Sequence, residues 1–200
     1  MKLNTYVKKL AGLVLAAGLA TPVWGMEIAG VKLEDSMQVG GTELKLNGAG
    51  IRYKAIFKVY VAALYLKEKK TTVPEVLSLP GPRRVTLVMM RDLSNEEFGR
   101  AFMSGIQQNN DKAEKSKMTS QFIRFGELFA SVPELKKGDI MAIEWIPAVG
   151  TVVLLNGKKM GDPYPDVAFF NALLKIWLGE YPVDKSLKKA MLAEEDTRSR

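Results

Sequence analysis

The chain has 200 residues, of which 47% are hydrophobic and 26% charged, a composition typical of one folded domain with a substantial core. It contains no histidine and no cysteine, which excludes serine and cysteine nucleophile systems, disulfides and zinc sites. The formal net charge is +7, but the basic residues are dispersed among acids, so no nucleic-acid partner is expected.

Residues 1–25 have the pattern of a secretory signal peptide. Three lysines precede a short uncharged apolar run at 10–20, and small residues follow Pro22 at the positions that a signal peptidase recognises. We expect cleavage after Gly25, which lowers the 29 basic residues to 26 against 22 acids. The alternative is an uncleaved membrane anchor, although the run is short for a transmembrane span. The processed protein is predicted to be periplasmic or secreted, with no stable membrane span.

The first part of the processed chain is predicted to form strands. Residues 26–33 alternate loosely between apolar and polar side chains and predict an edge strand, and residues 38–46 predict the next strand, with Gly40-Gly41 as a turn or bulge. Asn47-Gly48-Ala49-Gly50 predicts a turn. The run that follows, up to Leu66, is rich in β-branched and aromatic residues and favours β-structure over helix.

The central part predicts helices around one strand. Residues 74–79 favour a short helix, and residues 84–90 a strand that is covered on both faces. Ser94 and Glu97 have the spacing of a capping box at the start of a longer helix. A second long helix is predicted over residues 116–131, with its phenylalanines on one side.

The last third predicts a β-meander followed by two helices. The order of strands, helices, hairpin and helices favours an α+β fold, with an antiparallel sheet and helices packed on one face. We expect the folded domain to span residues 26–192 and residues 193–200 to form a charged tail. The predicted elements are strands at 140–146, 151–155 and 158–160, a helix from Asp162-Pro163 to Gly179, and a last helix capped by Asp184.

Arg52 is the most informative residue of the chain. It follows the glycine-rich motif and opens an apolar strand, an unusual place for a permanent charge. A guanidinium there indicates an anionic group held at the edge of an apolar site. The alternative is a surface arginine paired with an acid such as Glu43.

Two motifs of the chain are specific enough to suggest a family. They are Gly48-Ala49-Gly50-Ile51-Arg52 followed by the run 57–66, and the segment 172–180 followed by Pro182-Val183-Asp184. These motifs resemble chalcone isomerase and the chalcone isomerase-like proteins, and the resemblance covers roughly residues 31–192. It implies an open-faced β-sandwich of chalcone isomerase type, with a large antiparallel sheet, a layer of helices on one face and a ligand cleft between them.

The resemblance also implies that the polar groups of the plant isomerases are mostly replaced. Their arginine falls on Arg52 and their threonine on Tyr60. Their tyrosine, asparagine and last hydroxyl fall on Phe98, Gly105 and Ile176. Because one such donor is worth on the order of 3–4 kcal/mol in the transition state, we expect a non-catalytic protein without catalytic residues.

Similarity to the non-catalytic branch, whose better-understood members bind fatty acids, implies a small amphipathic acid as ligand, without a cofactor or a metal. Arg52 and Tyr60 would hold the carboxylate through charge-assisted hydrogen bonds. The implied ligand-binding residues are Arg52, Tyr60, Phe98, Phe102 and Ile176, with Phe122, Phe125 and Phe170 as further candidates for the apolar tail.

This interpretation has a geometric condition. In one straight strand, Arg52 and Tyr60 would stand about 26 Å apart. The chain must therefore bend near residues 55–57 if both groups are to reach one ligand. Two alternatives stay open: a divergent intramolecular isomerase or lyase with Arg52 as electrophile and Tyr60 as acid, and a protein-interaction module with a filled cleft on the same fold.

Overall fold

The computed structural model describes residues 25–132 and 134–194. The predicted signal peptide lies outside the described residues except for Gly25, and the predicted tail except for Ala193 and Glu194. The strands are β1 (Glu27–Ile28), β2 (Val31–Lys32), β3 (Ser36–Val39), β4 (Thr42–Lys54), β5 (Phe57–Leu66), β6 (Arg83–Met89), β7 (Leu93–Ser94), β8 (Glu134–Leu135), β9 (Ile140–Ile146), β10 (Gly150–Leu155) and β11 (Lys158–Tyr164). The helices are α1 (Val73–Ser78), α2 (Asn95–Asn109), α3 (Lys112–Lys117), α4 (Thr119–Ala130), α5 (Val167–Leu178) and α6 (Lys185–Met191).

Seven strands form one antiparallel sheet in the order β11-β10-β9-β6-β5-β4-β3. Neighbours in the sheet are neighbours in sequence except at β6 and β9, between which α2, α3 and α4 are inserted. The β3–β4 hairpin turns at Gly40 and Gly41, whose φ angles of 55° and 75° suit glycine because it has no Cβ. The predicted α+β arrangement is confirmed.

The larger hydrophobic core lies between the sheet and the helices. Alternate residues of β5, such as Tyr60, Ala62 and Leu64, belong to this core, whereas Val61 and Ala63 belong to a second core on the opposite face. Because both faces of β5 are buried, its sequence is apolar throughout instead of alternating. Apolar residues of α2, α4, α5 and α6 complete the larger core, as the predicted single helical layer requires.

The opposite face is covered by the curvature of the sheet and by the β1–β2 hairpin. Ile28 and Val31 of that hairpin pack on the second core. A Cβ added at Gly40 would lie 2.7 Å from Cγ2 of Ile146, so the β3–β4 turn reaches over to the end of β9. The sheet is therefore curled, and the helices are on its larger open face.

Two predictions for the first strands are wrong. Residues 26–33 form the separate β1–β2 hairpin rather than one edge strand, with positive φ at Ala29 and Gly30. Residues 47–50 are not a turn, because β4 continues through them. Asn47 is buried, and its Nδ2 donates to the carbonyl oxygen of Met191 in α6 at 2.8 Å. The glycines beside it serve the close approach of α6.

Two predicted helix boundaries are also wrong. The helix predicted over 116–131 is present as α4 but begins at Thr119, because residues 116 and 117 end the separate helix α3 and Met118 divides the two. Asp162 and Pro163 belong to β11, and α5 begins at Val167. A proline is tolerated in β11 because this strand forms one edge of the sheet, where an N–H is not required.

One of the two hydrogen bonds of the predicted capping box is present. Oγ of Ser94 accepts a hydrogen bond from the Glu97 amide at 3.1 Å, so Ser94 caps α2. The Glu97 carboxylate does not return to the Ser94 amide; it binds Arg91 at 2.6 Å and Lys54 at 3.2 Å. The Lys54 pair connects the start of α2 to the β4–β5 hairpin, and the Arg91 pair connects it to the segment between β6 and β7. Within the described ranges, no helix combines the length and the apolar character of a membrane span.

Candidate functional site

The β4–β5 hairpin brings Arg52 and Tyr60 together as directly paired residues. The chain reverses at Ala55 and Ile56, and Ala55 has a φ of 54°, in the left-handed region that alanine rarely adopts. The register shifts between Arg52 and Tyr53, which marks a bulge next to the arginine. The bend that the sequence argument required is present. Side chains paired in this way start about 5 Å apart rather than 26 Å.

The Arg52 side chain is half-buried, and part of its hydrogen-bonding capacity is unused. Its guanidinium carbon lies 5.5 Å from the centre of the Tyr60 ring, a cation–π contact. Its Nε is buried and has no hydrogen-bond partner in the part of the chain that the structure describes. Among the described residues, no carboxylate forms an ion pair with Arg52. The alternative pairing with Glu43 is not found, since Glu43 faces Gln38 at the other end of β4.

The Tyr60 side chain is fixed by a hydrogen bond in which its hydroxyl oxygen is the acceptor. The hydroxyl proton donates to none of the described residues. It is 3% exposed, and its Oη accepts a hydrogen bond from Nε1 of Trp177 at 2.9 Å. An indole N–H can only donate, so the phenol oxygen is the acceptor and keeps its own proton for another partner. Burial raises the pKa of Tyr60, although the charge of Arg52 acts in the opposite direction. The phenol is therefore a neutral donor at neutral pH.

Asp184 lies beside this pair but is already engaged. Its Oδ1 accepts from the amides of Ser186 and Leu187, which caps α6, and its Oδ2 accepts from the Tyr53 amide at 3.1 Å. The carboxylate thus fixes the end of β4 to the start of α6. It orders the backbone next to Arg52, and its oxygens accept from backbone amides rather than from the guanidinium.

A small cavity lies at the centre of these residues. Its volume is about 10 Å³, roughly the space of one water molecule. Pockets that hold drug-sized ligands measure about 300–1,000 Å³, so an acyl chain does not fit in this conformation. The lining residues are Arg52, Tyr60, Phe98, Ala101, Phe102, Ile176 and Val183, which include all five residues that the resemblance implied for the ligand site.

Close contact between α2 and α5 keeps the cavity small. A Cβ added at Gly105 of α2 would lie 2.8 Å from Cγ2 of Ile176 in α5. The ring of Phe102 contacts Trp177 edge-on with the ring centres 5.6 Å apart, and it also packs on Phe125 at 5.2 Å. A larger cavity next to Arg52 therefore requires α2 and α5 to separate.

The three further tail candidates do not line this cavity. Phe125 is buried in the aromatic cluster behind Phe102. Phe122 lines a different groove, between α2 and α4. Phe170 lies under the guanidinium of Arg83, with 5.1 Å between the guanidinium carbon and the ring centre. The structure therefore does not bring these phenylalanines to the Arg52 cavity.

Sequence reasoning missed Trp177, which orients Tyr60, and the buried Arg83. Nothing in the sequence separates Trp177 from the other apolar residues of α5. Arg83 donates to the carbonyl oxygens of Val76 and Leu77 at 3.0 Å each, which anchors the end of α1. Burial lowers the pKa of Arg83 to about 10, so it remains charged at neutral pH. The adjacent Arg84 instead pairs with Glu144, and the sequence does not distinguish the two arginines.

The Trp177–Tyr60 hydrogen bond predicts a stability effect. Tyr60→Phe should lower the free energy of unfolding by about 1–3 kcal/mol, because the buried indole N–H loses its acceptor. Tyr53→Phe makes the same chemical change at an exposed position and should stay within about 0.5 kcal/mol of the parent. Urea unfolding followed by tryptophan fluorescence measures both. Equal stability of the two variants would contradict the assigned bond.

Comparison with known families identifies the chain. A family model described as chalcone isomerase-like matches residues 25–193. The chain belongs to the chalcone isomerase-like family. The resemblance noted in the sequence is thereby confirmed, together with the expected fold. No curated protein sequence matches the chain.

The structure of this chalcone isomerase-like protein is similar to the crystal structure of a fatty-acid binding protein from Arabidopsis thaliana. The TM-score is 0.64, and the match covers 82% of this chain and 92% of the plant chain. The two sequences are 15% identical, so the likeness shows a common fold.

Proposed function

We propose that this chalcone isomerase-like protein is an exported, non-catalytic binder of a fatty acid or a similar small amphipathic carboxylate. The observation that carries the proposal is Arg52, a half-buried guanidinium with a buried, unpartnered Nε beside a phenol whose proton is free. The fatty-acid binding protein of the same fold supports the ligand class. Export to the periplasm or the medium rests on the signal peptide predicted for residues 1–25.

The proposed carboxylate site uses three donors. A guanidinium can donate two parallel N–H bonds to one carboxylate, and such bonds are stronger than neutral ones. The Tyr60 hydroxyl supplies a third donor, and Trp177 holds it in place. The remaining lining residues are apolar and would contact the first carbons of the chain. This division between a polar end and apolar walls is what an amphipathic acid requires.

Binding the acyl chain requires an open state. The contacts that must separate are apolar, chiefly Gly105 against Ile176 and Phe102 against Trp177. An acyl chain placed between α2 and α5 would replace these contacts with similar ones, which limits the loss of buried apolar surface. The Lys54–Glu97 ion pair, which ties the hairpin to α2, is solvent-exposed and therefore weak.

Native mass spectrometry of the protein purified from cells tests the proposal. We expect a fraction of the protein to carry an added mass that gas-phase dissociation releases as a fatty acid. The same preparation of Arg52→Ala should lack this mass because the carboxylate anchor is gone. An apo mass in both proteins, even after incubation with excess decanoic acid, would contradict the proposed function.

The pKa of Tyr60 predicts how binding depends on pH. Carboxylic acids ionise near pH 4–5, and burial raises the pKa of Tyr60 above its ordinary value of about 10, so the phenol stays protonated at neutral and mildly alkaline pH. The affinity for decanoate should therefore be constant between about pH 6 and 9, as measured by calorimetric titration. A fall of about tenfold across this range would mean that a phenolate forms at the site, against the assignment of Tyr60 as a neutral donor.

The small cavity volume favours a second candidate function, a protein-interaction module with a filled cleft. In that case no acid would bind and Arg52 would only stabilise the hairpin. An isomerase or lyase is less favoured, because Arg52 and Tyr60 are the only polar side chains among the described residues that line the cavity. The mass spectrometry experiment separates acid binding from the filled-cleft alternative.

A further inference from the structure

The tip of the β4–β5 hairpin, residues 53–58, exposes large apolar side chains. Ile56 is 84% exposed, more than any other large apolar side chain in the described part of the protein. Phe57 next to it is 62% exposed, and Tyr53 is 44% exposed. Grouped apolar side chains that protrude into solvent indicate a surface that meets a partner.

The tip is also positively charged. It contains Lys54 and Lys58 and no acidic residue. Both lysines are exposed, and Lys54 makes only a solvent-screened ion pair with Glu97 at 3.2 Å. Apolar and aromatic side chains flanked by lysines suit the interface of a bilayer, where the apolar groups enter the acyl region and the ammonium groups meet lipid phosphates.

We propose that this tip docks on the surface of a bilayer that contains anionic lipids. The size of the tip favours a bilayer over a second protein. A stable protein–protein interface takes about 20–30 residues on each side, whereas the tip is a narrow hairpin end. A bilayer can be engaged by a few inserted side chains together with neighbouring positive charges.

Docking in this way places the mouth of the cavity at the lipid surface. Arg52 directly precedes the tip on β4, and Tyr60 lies two residues beyond it on β5. A protein held at the bilayer by residues 53–58 thus presents the guanidinium of Arg52 near the lipid headgroups. The docking inference rests on the exposed tip itself and stands whether or not the cavity binds an acid.

Vesicle co-sedimentation of the purified protein tests the inference. The probes are vesicles of phosphatidylcholine alone and of phosphatidylcholine mixed with phosphatidylglycerol. The test variants are Ile56→Ser with Phe57→Ser, and Lys54→Gln with Lys58→Gln. The controls are Val149→Ser, an exposed apolar residue at another hairpin turn, and Lys158→Gln with Lys159→Gln, two exposed lysines at the β10–β11 turn.

We expect the parent protein to sediment with the mixed vesicles and to bind phosphatidylcholine at least about tenfold more weakly. Both tip variants should lose about tenfold or more in binding to the mixed vesicles. The control variants should bind as the parent does. All of these proteins share the same N-terminus, so any contribution of residues 1–24 is common to them.

The inference is overturned if the parent protein stays in the supernatant with both kinds of vesicle. It is equally overturned if the Ile56/Phe57 variant binds as the parent does, or if the control lysines matter as much as those of the tip. Arg52→Gln separates this inference from the proposed function. This variant should bind vesicles as the parent does but should no longer bind decanoate. Vesicle docking and acid binding can therefore fail independently of each other.

Discussion

Replacing Arg52 by glutamine is expected to weaken decanoate binding by at least about 100-fold. Glutamine keeps a polar side chain of moderate length but removes the charge and the paired N–H donors. The charge-assisted bonds it eliminates contribute about 1.5–3 kcal/mol each, and no other cation lines the cavity within the described residues. Calorimetric titration with decanoate measures the change directly.

Two controls make this result specific. Arg100→Gln removes the same charge from an exposed residue that pairs with Glu96, and it should leave the affinity within about twofold of the parent. Methyl decanoate lacks the carboxylate, so it should bind weakly to the parent and be insensitive to Arg52→Gln. Equal loss of acid and ester binding on Arg52→Gln would show that the arginine supports the fold of the site rather than the carboxylate.

Gly48→Ala is expected to lower the free energy of unfolding by about 3 kcal/mol or more. A Cβ at this position would lie 2.1 Å from the carbonyl oxygen of Ala190 and 2.8 Å from that of Met191, both backbone atoms of the α6 segment. Backbone cannot yield as a flexible side chain does, so α6 must shift away from β4. The shift would also strain the Asn47–Met191 hydrogen bond.

Gly99→Ala is the matched control for this substitution. Gly99 lies in α2, and a Cβ there meets nothing within 4 Å. Alanine should therefore stabilise the helix by about 0.5–1 kcal/mol, since it loses less conformational entropy than glycine. Urea unfolding of the two variants should give shifts of opposite sign. A Gly48→Ala protein as stable as the parent would show that α6 does not pack on β4 as described.

The Arg52–Tyr60 pairing could be anticipated because the information is local. A guanidinium at the start of an apolar strand, eight positions before a tyrosine, requires only a bend between them, and a short hairpin provides one. The turn predicted at residues 47–50 is wrong for the opposite reason, because the information that decides the structure there is not local. Local preference assigns Asn-Gly sequences to turns, but here a tertiary contact with α6, more than a hundred residues away, determines the residue type.

The size of the cavity was not predictable from sequence. It depends on the distance between α2 and α5, which the contact of Gly105 with Ile176 sets. A sequence pattern shows that both helices are apolar on one face but not how closely they approach. The same reason explains why Phe102 lines the cavity while Phe125, on α4, lies in the cluster behind it.

A crystal structure of the protein with decanoate tests the central claim most directly. The account predicts the carboxylate within hydrogen-bond distance of the Arg52 guanidinium and the Tyr60 hydroxyl, the Trp177–Tyr60 bond retained, and α2 displaced from α5 around the acyl chain. Decanoate bound elsewhere, such as in the α2–α4 groove, with the Arg52 cavity still closed, would contradict it.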